Sequence, residues 1–266
     1  MCDTDVPNLT VIESGKASPN PTALLQSKNF DNLITFDVDD GPKTLEESLG
    51  LIEEACRQGV RMIVATSHRR KGMFETPEKI IMANYLELKK VVAERFPELT
   101  LCYGGELYYT KDIIGKLDAK KLPTLNGTRQ VLVEFSMNTP WKEIQEAVNE
   151  IILLGLTPVI AHIERYDALA FKGERVAELL DKGCFTQVNS NHVLKPGLIG
   201  DVAKPFKKRV QYFLDNDLVT CVASDMHNLS KRKPYMQEAF IHIEKEYGRD
   251  RARALFKKNP LMLLKN

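Results

Sequence analysis

Five histidines occur in 266 residues, and four of them fall at or just past the end of a strand-like run. Arg61-Met62-Ile63-Val64-Ala65-Thr66 leads into Ser67 and His68, and Pro158-Val159-Ile160-Ala161 leads into His162. Phe185-Thr186-Gln187-Val188 leads to Asn189, Asn191 and His192. Leu218-Val219-Thr220-Cys221-Val222-Ala223 runs into Ser224, Asp225, Met226 and His227. Two further runs end in carboxylates: Leu101-Cys102-Tyr103 before Glu106, and Val131-Leu132-Val133 before Glu134. In a barrel of parallel strands such ends meet at one rim, which is where the chemistry of such folds sits. Imidazoles and carboxylates gathered there are the donor set of a metal centre.

Each residue has a plainer reading beside the functional one. The turn Phe36-Asp37-Val38-Asp39-Asp40-Gly41-Pro42 packs three carboxylates and, taken alone, is a solvated turn that favours the next helix start. Histidines on neighbouring strand ends make Asp40 a ligand candidate. His68 is followed by Arg69, Arg70 and Lys71, a cationic run that suits an anionic substrate such as phosphate or, equally, a solvated loop. Glu106 follows two glycines, and Glu134 closes an apolar run; a carboxylate buried there must be paired, protonated or metal-bound. His162 offers a ligand, and Arg165 a guanidinium able to grip phosphate through two parallel bonds. The alternative for Arg165 is a salt bridge to Glu164 or Asp167. Asp225 and His227, two apart in a strand-like stretch, share one face. His192 is a weaker candidate, and His242 lies in a helical pattern away from the strand ends.

These side chains need a scaffold that brings strand ends together. From about residue 35 the pattern alternates strand and helix. Thr44 to Gln58 has helical spacing and a capping signal in Thr44 and Glu47, with Gly59 as its stop. Pro77 opens a helix reaching about Phe96, Pro140 one ending at Gly155, and Gly173 to Lys182 forms another. The end of the chain, roughly Lys233 to Phe256, is helical too. About seven βα units predict a parallel barrel, complete or distorted, with an open doubly wound sheet as the alternative. Neither a dinucleotide glycine fingerprint nor a phosphate-loop lysine occurs.

Composition narrows the class. The net charge of +1 gives no field to draw nucleic acid or anionic lipid. The apolar stretches are too short to span a bilayer, and no secretion signal is visible. Cys2, Cys56, Cys102, Cys184 and Cys221 form no metal-type pair, so free thiols in a reducing cytoplasm are expected. A cysteine phosphatase needs arginine six positions after its cysteine; Ser190 follows Cys184 at that distance and His227 follows Cys221. A phosphatase reading therefore expects a metal-activated water as nucleophile.

The stretches FDVDDGPKTLEESL, GVRMIVATSHRRKGMFETP, YGGELYYT, EFSMNTPW, TPVIAHIERY and VASDMHNL closely resemble the metal-dependent protein-tyrosine phosphatases of Gram-positive capsule loci. These belong to the PHP (polymerase and histidinol phosphatase) superfamily. The resemblance implies an α/β fold, a PHP-type distorted (β/α)7 barrel over residues 35–266, holding up to three divalent ions, manganese by expectation. It implies hydrolysis of phosphotyrosine on a capsule-synthesis autokinase by a bridging hydroxide, in the cytoplasm. Carried over, Asp40, His68 and His227 hold one ion. Glu106, Glu134 and His162 hold a second, with Glu106 bridging to a third that Asp225 completes. Arg165 grips the phosphate, with His68 and Asp225 beside it in the catalytic centre.

The family's first strand carries an H-x-H pair shortly before FDVDDGP, and here those positions hold Asp31 and Leu33. The third ion should be weakened accordingly. Residues 1–34 resemble an internal stretch of the bacterial tyrosine autokinases, without their nucleotide-binding motifs, and read as a foreign extension with no independent fold. The competing expectation is a catalytically impaired pseudo-phosphatase that binds phosphotyrosine. A third reading, with histidinol phosphate or a nucleic acid end as substrate, runs against the near-neutral charge.

Overall fold

A computed structural model of the chain describes residues 2–3, 10–11, 29–32, 35–36, 38–197, 200–230 and 232–265, and of 2–3, 10–11 and 29–32 only the backbone path. Leu33, one of the two substituted first-strand positions, lies outside the described residues, as do Asp37 and the side chain of Asp31.

β1 (Cys2–Asp3) and β2 (Thr10–Val11) pair antiparallel as a separate ribbon. Then follow β3 (Asn29–Asn32), α1 (Leu45–Arg57), β4 (Val60–Ala65), β5 (His68–Arg69), α2 (Glu78–Arg95) and β6 (Thr100–Tyr103). Next come β7 (Glu106–Tyr108), α3 (Lys111–Asp118), β8 (Gln130–Glu134), α4 (Trp141–Leu153), β9 (Thr157–Ile160) and α5 (Gly173–Asp181). β10 (Phe185–Asn189), the single turn α6 (Ser190–Val193), α7 (Lys204–Asp215) and β11 (Cys221–Ala223) lead to a helical tail. The tail comprises α8 (Met236–Tyr247), α9 (Arg249–Arg253), a π-helical turn Ala254–Lys258 and α10 (Asn259–Met262).

β3, β4 and β6 form one sheet, and β5, β7, β8, β9, β10 and β11 form another; every pairing in both is parallel. Only Thr66 and Ser67 separate β4 from β5, and only Gly104 and Gly105 separate β6 from β7. The order is thus a run of seven parallel positions, curled until β11 comes back beside β3. No ladder joins β11 to β3 among the described residues. This is the expected distorted barrel rather than a flat open sheet. The break between β6 and β7 has a packing cause. A Cβ on Gly104 would meet Val64 Cγ1 and Leu125 Cδ2 at 3.0 Å, and one on Gly105 would meet Pro123 Cγ at 2.8 Å, so only glycine passes there.

Strand alternation divides the side chains between two layers. In β8, Val131 and Val133 join the large core between sheet and helices, while Leu132 joins a smaller one inside the curl. Val64, Cys102, Val159, Ala161 and Cys221 share that inner cluster, and Leu263 plugs it from the C-terminal turn. Thr128, just before β8, donates to Leu263 O at 3.3 Å, which places the plug at the end where β8 starts. The inner face is therefore apolar low on the strands. Glu134, two residues beyond Leu132, puts a carboxylate on the same face at the opposite end.

The outer helices follow from their sequences. Thr44 Oγ1 accepts from Glu47 N at 3.2 Å and caps α1, whose Leu49, Ile52 and Ala55 are buried. Pro77 and Pro140 each stand immediately before a helix, as expected. The tail differs from the single helix expected over Lys233 to Phe256. It starts at Met236 and breaks at Gly248, whose φ of 86° and ψ of 161° no helix continues through. α3 and α7, absent from the sequence reading, complete the outer layer.

Candidate metal centre

The seven expected ligand residues gather at the ends of the strands. His68 opens β5, and its Nε2 lies 3.4 Å from Asp40 Oδ1. Its other nitrogen, Nδ1, lies 3.8 Å from Glu106 Oε2 and 3.7 Å from Glu134 Oε2. His227 Nε2 approaches the same Asp40 oxygen at 3.2 Å. Two groups of three potential ligands result, Asp40–His68–His227 and His68–Glu106–Glu134, each with its donor atoms within 4.8 Å of one another. His68 therefore faces both groups, where the resemblance gave it one ion. His162 Nε2 adjoins the second group, 3.0 Å from Glu106 Oε1 and 3.6 Å from Glu134 Oε1.

The donors fit a divalent ion. His68 Nδ1 and His227 Nε2 are buried without a hydrogen-bond partner, the latter facing Asp40 at ion-pair distance without hydrogen-bond alignment. An orphaned buried polar atom costs about 1–3 kcal/mol, which a cation placed among such atoms would offset. Imidazole with carboxylate, and no thiolate, suits manganese or zinc rather than a soft metal.

The electrostatics show how crowded the acids are. Burial, then the charge of Glu106, pushes Glu134 up to about 7. Burial also raises Glu106, against the pull of His68. Burial and then Arg165 push His162 down to about 4, leaving a neutral ring able to offer a lone pair. Asp40 loses some solvent, but His227, His68 and Arg232 outweigh that and hold it at about 2. Burial opposes ionisation of Asp225, yet Arg165 and Arg232 hold its carboxyl far below the usual range. Burial works against a proton on His227 as well, and Asp40 and Asp225 more than restore it.

Asp225 belongs to neither three-donor group, although its Oδ1 lies 3.7 Å from His227 Nδ1. Its Oδ2 accepts from Arg165 Nη2 at 2.8 Å, Arg232 Nη2 at 2.8 Å and Asn189 Nδ2 at 2.9 Å. The alternative partners considered for Arg165 are taken elsewhere: Glu164 pairs with His192 Nδ1 at 2.7 Å, and Asp167 with Arg209 at 2.7 Å. His192 is thus a structural residue behind the site. His242 lies on α8 and belongs to neither group.

A buried amide network holds the ligands in place. Gln187 Oε1 accepts from His162 N at 2.8 Å, and its Nε2 donates to Asn189 Oδ1 at 2.9 Å. Asn189 N donates to Glu164 Oε1 at 3.0 Å. Asp39, next to the candidate ligand Asp40, ties the acidic turn to β5: its Oδ2 accepts from His68 N at 2.8 Å and its Oδ1 from Gly41 N at 2.9 Å. His162 and Asp225 both adopt left-handed backbone, with φ of 30° and 52°. Such strain persists only where surrounding contacts enforce it, and it concentrates at functional sites.

Sequence reading missed three participants. Gln187 and Asn189 flank Val188 at the end of β10, and the sequence reading gave them no role beyond marking that strand end. Arg232 comes from the loop after His227, which folds back so that His227 N donates to Arg232 O at 2.9 Å. The one signal for that return is Asn228, whose Oδ1 accepts from Ser230 N at 3.1 Å and Arg232 N at 3.2 Å. The thiols stay out of the chemistry. Cys56, Cys102, Cys184 and Cys221 are free, and burial pushes Cys184 and Cys221 up to about 12.

Fold and site together define an α/β barrel protein with a metal centre of imidazoles and carboxylates at its mouth, flanked by guanidinium groups. The chain belongs to the CpsB/CapC family of capsular polysaccharide synthesis, whose profile matches residues 31–265. Tyrosine-protein phosphatase CpsB of Streptococcus agalactiae serotype V is 57% identical over 233 residues, 88% of this chain and 96% of that one. Among solved structures, one from a study of YwqE from Bacillus subtilis and CpsB from Streptococcus pneumoniae, described as unique metal-dependent tyrosine phosphatases, superposes with a TM-score of 0.77. It is 28% identical and covers 89% of this chain and 93% of its own. A shorter likeness joins the chain to the tyrosine-protein kinase CpsD of Streptococcus pneumoniae, 40% identical over 79 residues, 27% of this chain and 34% of the kinase.

Proposed function

We propose that this chain is a metal-dependent protein-tyrosine phosphatase acting on phosphotyrosine in a capsule-synthesis autokinase. The observation that carries the reading is the pair of three-donor groups sharing His68, with Arg165 and Arg232 alongside. Among the described residues each group has three donors without a first-strand side chain, which supports catalysis over phosphotyrosine binding alone. The relatives named above support the same activity, and the kinase likeness supports the capsule setting.

Asp40, His68 and His227 hold one ion, and Glu106, Glu134 and His162, with His68 at its edge, hold a second; manganese is the ion proposed. A divalent ion there supplies Lewis acidity toward a phosphoryl oxygen and lowers the pKa of water. Arg165 and Arg232 orient the phosphoryl group, preorganised by the shared Asp225 carboxylate. Asp225 serves the guanidinium groups at least as much as a third ion. We further read residues 1–34 as an autokinase-like extension whose end supplies the backbone of the barrel's first strand, 35–266 as the rest of the phosphatase domain, and the cytoplasm as its compartment. Among the described residues no helix is long and apolar enough to cross a membrane.

The test is phosphate release from a phosphotyrosine peptide by the purified full chain. Release with added manganese, abolished by EDTA, is the expected result. A folded, metal-loaded protein that releases no phosphate would sink the proposal.

A further inference from the structure

A cavity of about 290 Å³ lies beside the metal centre, between the turn after β5 and the start of α3. It is built from the cationic run that follows His68. Arg70 N donates to Phe74 O at 3.1 Å, and Phe74 N donates back to Arg70 O at 2.7 Å, folding Arg70 to Phe74 into a tight turn. The Phe74 ring stacks on the His68 ring, centroids 5.3 Å apart and 17° from parallel, and also lines the cavity. One aromatic ring is therefore the wall between the cavity and a residue of both ligand groups. On the far side the Arg70 guanidinium lies 4.1 Å over the Tyr108 ring, which fixes its position. Tyr108 stands in register with Glu134 on the neighbouring strand.

The cavity's charge is unbalanced. Arg69 is consumed by Glu78 at 2.9 Å, and Lys116 by Asp112 at 2.7 Å. That leaves Arg70, Lys71 and Lys121 against Glu75, none of them in an ion pair among the described residues. The volume is at the small end of the range for ligand pockets, roughly 300–1,000 Å³. It suits one or two side chains rather than a folded partner.

We propose that this cavity is a substrate subsite: it receives an acidic residue flanking the phosphotyrosine and sets peptide preference through Arg70 and Lys71. The idea rests on the phosphatase reading and deepens it. A phosphotyrosine reaching the centre past Phe74 must lay its neighbouring residues over the turn that carries Arg70 and Lys71. Arg69 is buried and paired, so it contributes architecture and not recognition.

The experiment uses the full chain and two fluorescein-labelled phosphotyrosine peptides of equal length. One has aspartate and glutamate beside the phosphotyrosine, and the other has serine and glutamine there. Fluorescence anisotropy gives Kd for each without requiring turnover. The acidic peptide is expected to bind roughly tenfold tighter, with the ratio shrinking at high salt. Arg70→Gln with Lys71→Gln should bring the ratio close to one, and general damage to the fold would weaken both peptides alike without moving it. Lys71→Gln alone, which leaves the Arg70–Tyr108 stack intact, should lower the ratio part of the way. Equal binding of the two peptides by the wild type, no binding of either, or a ratio untouched in the double variant overturns the subsite. Hydrolysis of p-nitrophenyl phosphate, which has no flanking residues, reports separately on the catalytic reading.

Discussion

At the scale of single residues, His68 is the side chain on which both donor groups depend. Its two ring nitrogens face different carboxylates, so one substitution should empty two sites. His68→Ala is expected to lower metal content at both and phosphatase activity by about 100-fold or more. Elemental analysis after gel filtration, beside a His242→Ala control that keeps its metal, checks this. A His68→Ala protein with full metal content would refute the shared-ligand geometry. Glu134 gives a pH signature. Its folded pKa of about 7 lies above its ordinary 4.5, so the folded state holds more protons than the unfolded chain between those values. Metal-free protein should therefore lose stability as pH rises from about 4.5 through about 7. Metal binding displaces that proton, so added manganese should raise the melting temperature more at pH 8 than at pH 5.5. Melting curves in EDTA across that interval, for the wild type and Glu134→Gln, decide it. Equal pH slopes for the two proteins would place the titration elsewhere. Most of the candidate ligands were legible because they follow apolar runs, and Asp40 because it sits in an acidic turn. Arg232 was not, since a loop arginine gains its role only when the chain folds back onto Asp225.

At the scale of elements, strand alternation does most of the positioning. β8 is the clearest case, with Val131 and Val133 outward and Leu132 inward, below Glu134. Leu132 is 2% exposed and packs among residues from several strands inside the curl. Leu132→Ala should cost about 2–5 kcal/mol, read as a lower urea midpoint with an unchanged slope. A loss under about 1 kcal/mol would mean that the inner face is loosely filled and Glu134 is held by other contacts. The same periodicity explains what sequence could convey. α1, α2, α4 and α5 carry proline, threonine or glycine signals at their ends and lie close to where those signals put them. α7 has no acidic first turn and begins with Lys204, so Pro205 in its first turn is the one start signal it carries, and the sequence reading passed over it. The break at Gly104-Gly105 was also silent as a break. Two glycines announce a close approach, but not which chain comes near; Val64, Leu125 and Pro123 supply that only in three dimensions.

At the scale of the whole molecule, the open matter is what the first strand contributes. β3 pairs parallel with β4, Asp31 opposite Ile63 and Asn32 opposite Val64, so the barrel's first position is filled by backbone despite its unusual sequence. The fold therefore does not need an H-x-H pair, whereas a third ion does. Asp225 has found other company here, since three donors converge on its Oδ2. Asp31→His with Leu33→His restores the histidine pair that the resemblance places on the first strand, while Asp225 is already neutralised by two arginines. If the third position is latent, the double variant should bind one more ion per chain and hydrolyse a phosphotyrosine peptide about 10- to 100-fold faster. The released arginines would then be free to hold phosphate more strongly. If the arginines have taken over that position, ion content and rate should both stay within about twofold of the unaltered chain, because an added cation would face two guanidinium groups. Metal counting and phosphate release on the same preparations separate the two outcomes. A gain in ions without a gain in rate would show that the third site is structural and that the two groups sharing His68 suffice for catalysis.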